Sequence, residues 1–126
     1  MANRSKRVGT AWESGIVTHL NESGYPNVER RALAGALDKG DIAGMPFVIE
    51  AKAHRTPAFP AWVREADAEA LNAGAPFGVV WAKVVGKAHP RDGVIAMSPA
   101  GLLVVAGIIR ERDILASVVE SLQARA

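Results

Sequence analysis

The segment 46–54, PFVIEAKAH, constrains the fold more than any other stretch of the chain. Side chains alternate between the two faces of a strand. Phe47, Ile49, Ala51 and Ala53 therefore form one wholly apolar face, and Val48, Glu50, Lys52 and His54 form the other. The apolar row requires a covering layer, which places this strand inside a sheet packed by helices. The charged row admits two readings. It can be a half-exposed strand face whose Glu–Lys pair is worth little, or it can line a cleft where the charges have partners. Burial of unpaired charge is too costly to be a third.

The elements around this strand follow from periodicity and punctuation. Val8, Ala11, Trp12, Gly15, Ile16 and Leu20 recur at helical spacing, so a helix is predicted over residues 5–22, ended by Gly24 and Pro26. Glu13 lies about 100° round from Trp12, at the edge of that apolar stripe. Residues 27–34 read as a first strand, 35–41 as a glycine-containing loop and 41–43 as a short second strand. With 46–54 as the third, the three make an antiparallel meander. Pro60 and Gly74 bracket a second helix over 60–73 with Trp62, Ala66 and Ala70 facing inward. GVVWAKVVG (78–86) is the clearest strand, and GVIAM (93–97) follows after a turn at HPRDG. Residues 99–106 suit a helix or a buried strand by pattern; Ser98-Pro99 is a good cap and first-turn pair and favours the helix. Ile114, Leu115, Val118 and Leu122 mark a C-terminal amphipathic helix. The order α-β-β-β-α-β-β-α describes an α/β or α+β chain, read as one domain over residues 1–126 with a mixed sheet of about five strands flanked by helices. Trp12, Trp62 and Trp81 all fall on core faces. His19 is expected to pack beside the first helix and His89 to be exposed.

Composition removes several function classes. The chain has no cysteine, which excludes disulfides, thiolate metal sites and thiol catalysis. A metal site must then use carboxylate, imidazole or carbonyl ligands, which suit hard ions such as Mg²⁺ or Mn²⁺. No apolar run is long enough for a membrane span, and no segment of signal-peptide type follows the first residues. The cytoplasm is the expected compartment, with no membrane partner. The net charge is only +2, but Arg4, Lys6 and Arg7 form a basic start with no acid before Glu13. That start is either a solvated terminus or a phosphate contact.

A helix carrying an acid, then a strand, an aspartate at a turn and Glu-x-Lys on the next strand resembles the PD-(D/E)XK nucleases. The first half is most similar to their archaeal-type Holliday-junction resolvases. The resemblance runs through RSKRVGTAWE (4–13), GDIAG (40–44) and IEAK (49–52), and continues in the helix-and-strand pattern to about residue 86. Two positions depart from the family pattern: no proline precedes Asp41, and the helix position where many relatives carry glutamine is nearest to Glu65.

The resemblance implies a restriction-endonuclease-like core and metal-dependent hydrolysis of DNA phosphodiesters. Asp41 and Glu50 would hold Mg²⁺, with Mn²⁺ able to substitute, together with the Ala51 backbone carbonyl. Glu13 would complete the site through a water or at a second ion. Lys52 would position the attacking water and stabilise developing charge. Arg4, Lys6, Arg7, Arg30, Arg31, His54 and Arg55 would contact DNA, with Lys83 a further candidate; Arg30 and Arg31, adjacent on a strand, cannot both face it. No small-molecule cofactor is implied. The implied partner is branched DNA, a four-way junction above all. Its symmetric cutting needs two active sites, hence a homodimer. Two other readings remain open at this point: a repair or restriction-type nuclease acting on ends, flaps or duplex, and a non-catalytic DNA-binding module.

Overall fold

The computed structural model describes residues 4–32 and 37–126. Helix α1 (Arg4–Glu22) leads into strands β1 (Glu29–Arg30), β2 (Ile42–Ala43) and β3 (Val48–Lys52). Helix α2 (Phe59–Ala73) then connects β3 to β4 (Gly78–Ala82), and β5 (Val94–Ala96) precedes helix α3 (Pro99–Ala124). The element order is the one expected. The first strand is much shorter than residues 27–34, and positions 33–36 of that strand and the following loop lie outside the described residues.

The five strands form one open sheet in the order β1-β2-β3-β4-β5. The pairs β1–β2, β2–β3 and β4–β5 are antiparallel, whereas β3–β4 is parallel. A parallel pair needs a crossover, and α2 supplies it. The chain is thus an α+β fold with a mixed sheet.

Each face of the sheet receives one helix. On one side Trp12, Ile16 and Leu20 of α1, spaced four residues apart, pack on Val28, Ile42, Ile49 and Val79. Phe47, Ala51 and Ala53 join this cluster, so the apolar row of the third strand does face the core. Ile16 is wholly buried, and Ile16→Ala is expected to cost ~2–5 kcal/mol. On the other side Trp62 and Ala66 of α2 pack on Val80 and Ala82. Gly78 permits this approach, because a Cβ there would fall on the Ala66 carbonyl. Gly74, in the left-handed region at φ 65°, ends α2 as anticipated, and the Ala75 N–H donates to the Ala70 carbonyl.

Trp12 Nε1 donates to the Trp81 carbonyl at 3.0 Å, and Trp81 Nε1 donates to the Pro90 carbonyl at 3.0 Å. The HPRDG turn is a 3-10 turn, Pro90–Asp92, capped by the His89 ring. His19 lies between Trp81 and His89 in edge-on contacts.

The C-terminal region differs most from expectation. The segment 99–106 and the amphipathic stretch after it are one helix of 26 residues. Within it only Gly101 is buried, and every residue from 106 onward is exposed. From residue 106 onward its apolar side chains stay exposed among the described residues. The start of α3 is fixed: Ser98 Oγ accepts from the Gly101 N–H at 3.0 Å and donates to Asp67 Oδ1 of α2 at 3.2 Å.

Candidate active site

The ends of α1, β2 and β3 meet at a cleft of about 850 Å³. Glu13, Asp41, Glu50, Ala51 and Lys52 all line it, and so do Arg4, His54, Arg55 and Lys83. Residues from three separate elements, grouped by sequence, thus share one cavity.

Asp41 is held in place by its backbone. Its N–H donates to the Ile49 carbonyl at 3.2 Å, and its carbonyl accepts from the Arg31 N–H at 2.8 Å. Gly40, just before it, has φ 92°, and a Cβ there would meet Val48 Cγ1 at 2.7 Å. Only glycine fits both the turn and the contact. The Asp41 side chain turns toward β3, where Oδ2 accepts the Ala51 N–H at 2.9 Å. This bond ties the aspartate to the strand that carries Glu50 and Lys52.

Glu50 and Lys52 share a strand face, as alternation requires, but that face is covered by α2 rather than open. Glu50 is 5% exposed. Lys52 Nζ lies 3.3 Å from Glu50 Oε1 and 2.9 Å from Glu65 Oε2. Glu65 therefore holds the lysine from α2. Burial would lower the Lys52 pKa, but the Glu65 and Glu50 carboxylates outweigh it and raise the value. Lys52 is a cation at neutral pH.

Glu69, one turn beyond Glu65, is a residue the sequence reading missed. It is 2% exposed. The signal was available: position 69 lies three residues beyond Ala66, on the predicted inner face of that helix. If both Glu50 and Glu69 are ionised, Glu50 Oε2 and both Glu69 oxygens have no donor. A proton between the two carboxyls supplies one.

The electrostatics follow. Burial, then Glu50, raises Asp41 to about 7 against the bond from the Ala51 N–H. Burial, then the Glu69 carboxyl, raises Glu50 to about 8 although Lys52 opposes it. Glu69 is raised to about 7, chiefly by burial. Asp38, Glu65 and Glu69 also bring carboxylate oxygens within 4.8 Å of one another.

Glu13 lines the cleft and pairs with Arg30, whose Nη2 lies 2.9 Å from Glu13 Oε2. Arg30 is thereby turned toward α1. Arg31 is exposed beside it. Lys6 and Arg7 lie apart from the cleft and border a shallow depression with Thr10 and Ala11. His54 packs its ring against Trp62 at 5.6 Å between centroids.

Asp41 and Glu50 fit a hard divalent cation. Both are oxygen donors with hindered ionisation, and Glu50 Oε2 is a buried oxygen without a donor. A cation in their place would replace the protons that burial and mutual repulsion retain.

Among the described residues no helix is long and apolar enough to cross a membrane. No protein-family model matches the chain, and neither a curated protein nor a solved structure does.

Proposed function

We propose that the protein is a metal-dependent, structure-selective DNA endonuclease with a PD-(D/E)XK-type core, and that it resolves four-way junctions. The observation that carries this reading is the convergence of Glu13, Asp41, Glu50 and Lys52 on one cleft edged by Arg4, Arg55 and Lys83. An acidic floor beside basic walls suits a substrate that is anionic at its scissile group and along its backbone.

The roles follow from each group's surroundings. Arg4, Arg55 and Lys83 bind backbone phosphates at the cleft wall. Arg4 stands at the N-terminal end of α1, which has no acid in its first turn, and the helix dipole favours a phosphate there. Lys52, held as a cation by Glu65 and Glu50, orients the attacking water and stabilises the charge that develops on the phosphoryl oxygens. Asp41 and Glu50, with the Ala51 carbonyl, would hold Mg²⁺, which when bound would supply Lewis acidity and a more acidic water. Glu13 adds negative charge at the rim, balanced by Arg30.

One gel tests the reading. Labelled four-way junction, flap, linear duplex and single strand are incubated with the protein and Mg²⁺. Paired symmetric nicks in the junction are expected, with Lys52→Ala binding the junction without cutting it. Cleavage of ends or flaps instead would replace the resolvase with a repair or restriction-type nuclease. Binding without cleavage under Mg²⁺ and Mn²⁺ would overturn the enzyme.

A further inference from the structure

Outside the cleft, three carboxyls meet: Asp38 in the turn before β2, and Glu65 and Glu69 one helical turn apart on α2. One oxygen of each lies within 4.8 Å of the other two. None of the three lines the cleft. Acids that gather on a surface carry no message by themselves, but Glu69 is not on the surface. It is 2% exposed, and neither of its carboxylate oxygens has a hydrogen-bond donor among the described residues. A proton between Glu50 and Glu69 serves one of these oxygens at most. The other remains buried without a partner, which is costly. A Cβ on Gly40 would stand 3.6 Å from Glu69 Oε2, so Glu69 reaches the turn that carries Asp38.

That turn is fastened to α2. Asp38 Oδ1 accepts the Gly40 N–H at 3.0 Å, and the Asp38 carbonyl accepts from Asn72 Nδ2 at 2.8 Å. Positive charge is scarce here. Among the described residues Lys52 is the only ion-pair partner of the three acids, through Glu65 Oε2, and Glu50 shares that lysine. The spacing indicates which cation would suit. Two oxygens on one ion stand no further apart than twice the metal–oxygen bond, which is about 4.8 Å for Ca²⁺ and about 4.2 Å for Mg²⁺. The three oxygens fit the Ca²⁺ limit without moving. Ca²⁺ also accepts several carboxylates in irregular geometry, whereas Mg²⁺ demands a near-ideal octahedron and keeps its waters.

We propose that Asp38, Glu65 and Glu69 form a Ca²⁺ site, separate from the Asp41–Glu50 pocket, that pins the turn before β2 to α2. The ion supplies the positive charge these acids lack and gives the buried Glu69 oxygen a partner. Asp38 is exposed, so water completes the coordination from that side. Glu65 keeps one oxygen for Lys52, and the ion therefore steadies that lysine without entering the cleft. The site does not depend on the nuclease reading, and its test uses no DNA.

Titration calorimetry and melting of the full chain with Ca²⁺ decide it. Asp41 and Glu50 can also take Ca²⁺, so the measurements use Asp41→Asn as the background. In that background one Ca²⁺ is expected to bind with a Kd on the order of 10⁻⁴–10⁻³ M. At about 10 mM the ion should raise Tm by several degrees. Adding Asp38→Asn keeps the oxygen that accepts the Gly40 N–H and removes only the charge; it should weaken Ca²⁺ binding at least ~10-fold. Adding Glu69→Gln, which keeps the buried volume, should do the same, and metal-free melting shows that each variant is folded. Loss of all Ca²⁺ binding in Asp41→Asn alone would overturn the site and leave the Asp41–Glu50 pocket standing. Undiminished binding after Asp38→Asn and after Glu69→Gln would overturn it as well. Mg²⁺ binding in the same background as tightly as Ca²⁺ would overturn the choice of ion.

Discussion

Strand β3 and helix α3 break the ordinary sorting of residues in opposite senses. The strand hides what should be wet: Glu50 is 5% exposed, beside a mostly covered lysine. The helix wets what should be hidden, with Leu103 71% and Leu115 64% exposed. Hidden charge at the floor of a concave surface is a demand for a small ionic ligand, because only ions and hydrogen-bond donors offset its desolvation. Exposed apolar surface on a convex rod is a demand for area, which only another macromolecule supplies. Two departures from one rule therefore indicate two kinds of partner.

The largest effect that separates these regions is catalytic. Lys52→Met keeps most of the apolar stem and removes the charge. The rate of phosphodiester cleavage is expected to fall on the order of 10²–10³-fold, measured as single-turnover nicking of a four-way junction, while junction binding is retained. If Lys52→Met cuts at the wild-type rate, the hidden charge of β3 has no catalytic purpose and the comparison loses its first half.

Acidity is the next lever. Asp41, Glu50 and Glu69 all have folded values, about 7, 8 and 7, above the ordinary carboxylate range. The folded state then binds more protons than the unfolded state between those limits, and stability falls as pH rises. The metal-free protein should be most stable below about pH 4.5, as far as these groups are concerned, and should lose stability up to about pH 8. A divalent ion competes with the protons, so the rise in Tm caused by Mg²⁺ should be small at pH 6 and larger at pH 8. A melting series at both pH values, with and without Mg²⁺, checks both signs. Asp41→Asn should abolish most of the Mg²⁺ shift, and an unchanged shift in that variant would remove Asp41 from the ligand set.

Glu69 sharpens the same point at smaller scale. Its carboxyl is buried against Glu50 and lines no part of the cleft. Glu69→Met fills similar volume without a buried charge, and should raise the metal-free Tm at pH 8 by several degrees. If Tm falls instead, the shared proton between Glu50 and Glu69 stabilises the fold more than the buried charge destabilises it.

Much of the site was legible from alternation and order. The period-two row of β3 put Glu50 with Lys52, the spacing of α1 put Glu13 at the rim of its apolar stripe, and a glycine turn put Asp41 one short strand away. What was not legible came from tertiary placement. The polar face of β3 reads as half-exposed or as the wall of a cleft, yet α2 also lies over it, since a strand pattern does not reveal which helix covers which face. Glu69 was hidden by the habit of reading an inner helix face as apolar. Lys6 and Arg7 read as neighbours of Arg4, but about 100° of rotation per residue turns them away from the cleft. The amphipathic pattern of the last helix was plain, whereas the exposure of its apolar side chains depended on where α3 departs from the sheet.

The smallest effect tests the convex half. Leu103 is 71% exposed, so Leu103→Gln should change stability by less than about 0.5 kcal/mol, read from the denaturant midpoint. Val119→Gln, further along the same exposed helix, makes a comparable change in polarity and should likewise spare the unfolding of the body. A loss of more than about 1 kcal/mol at either position would mean that the side chain packs on the body, and α3 would no longer be the wet half of the comparison.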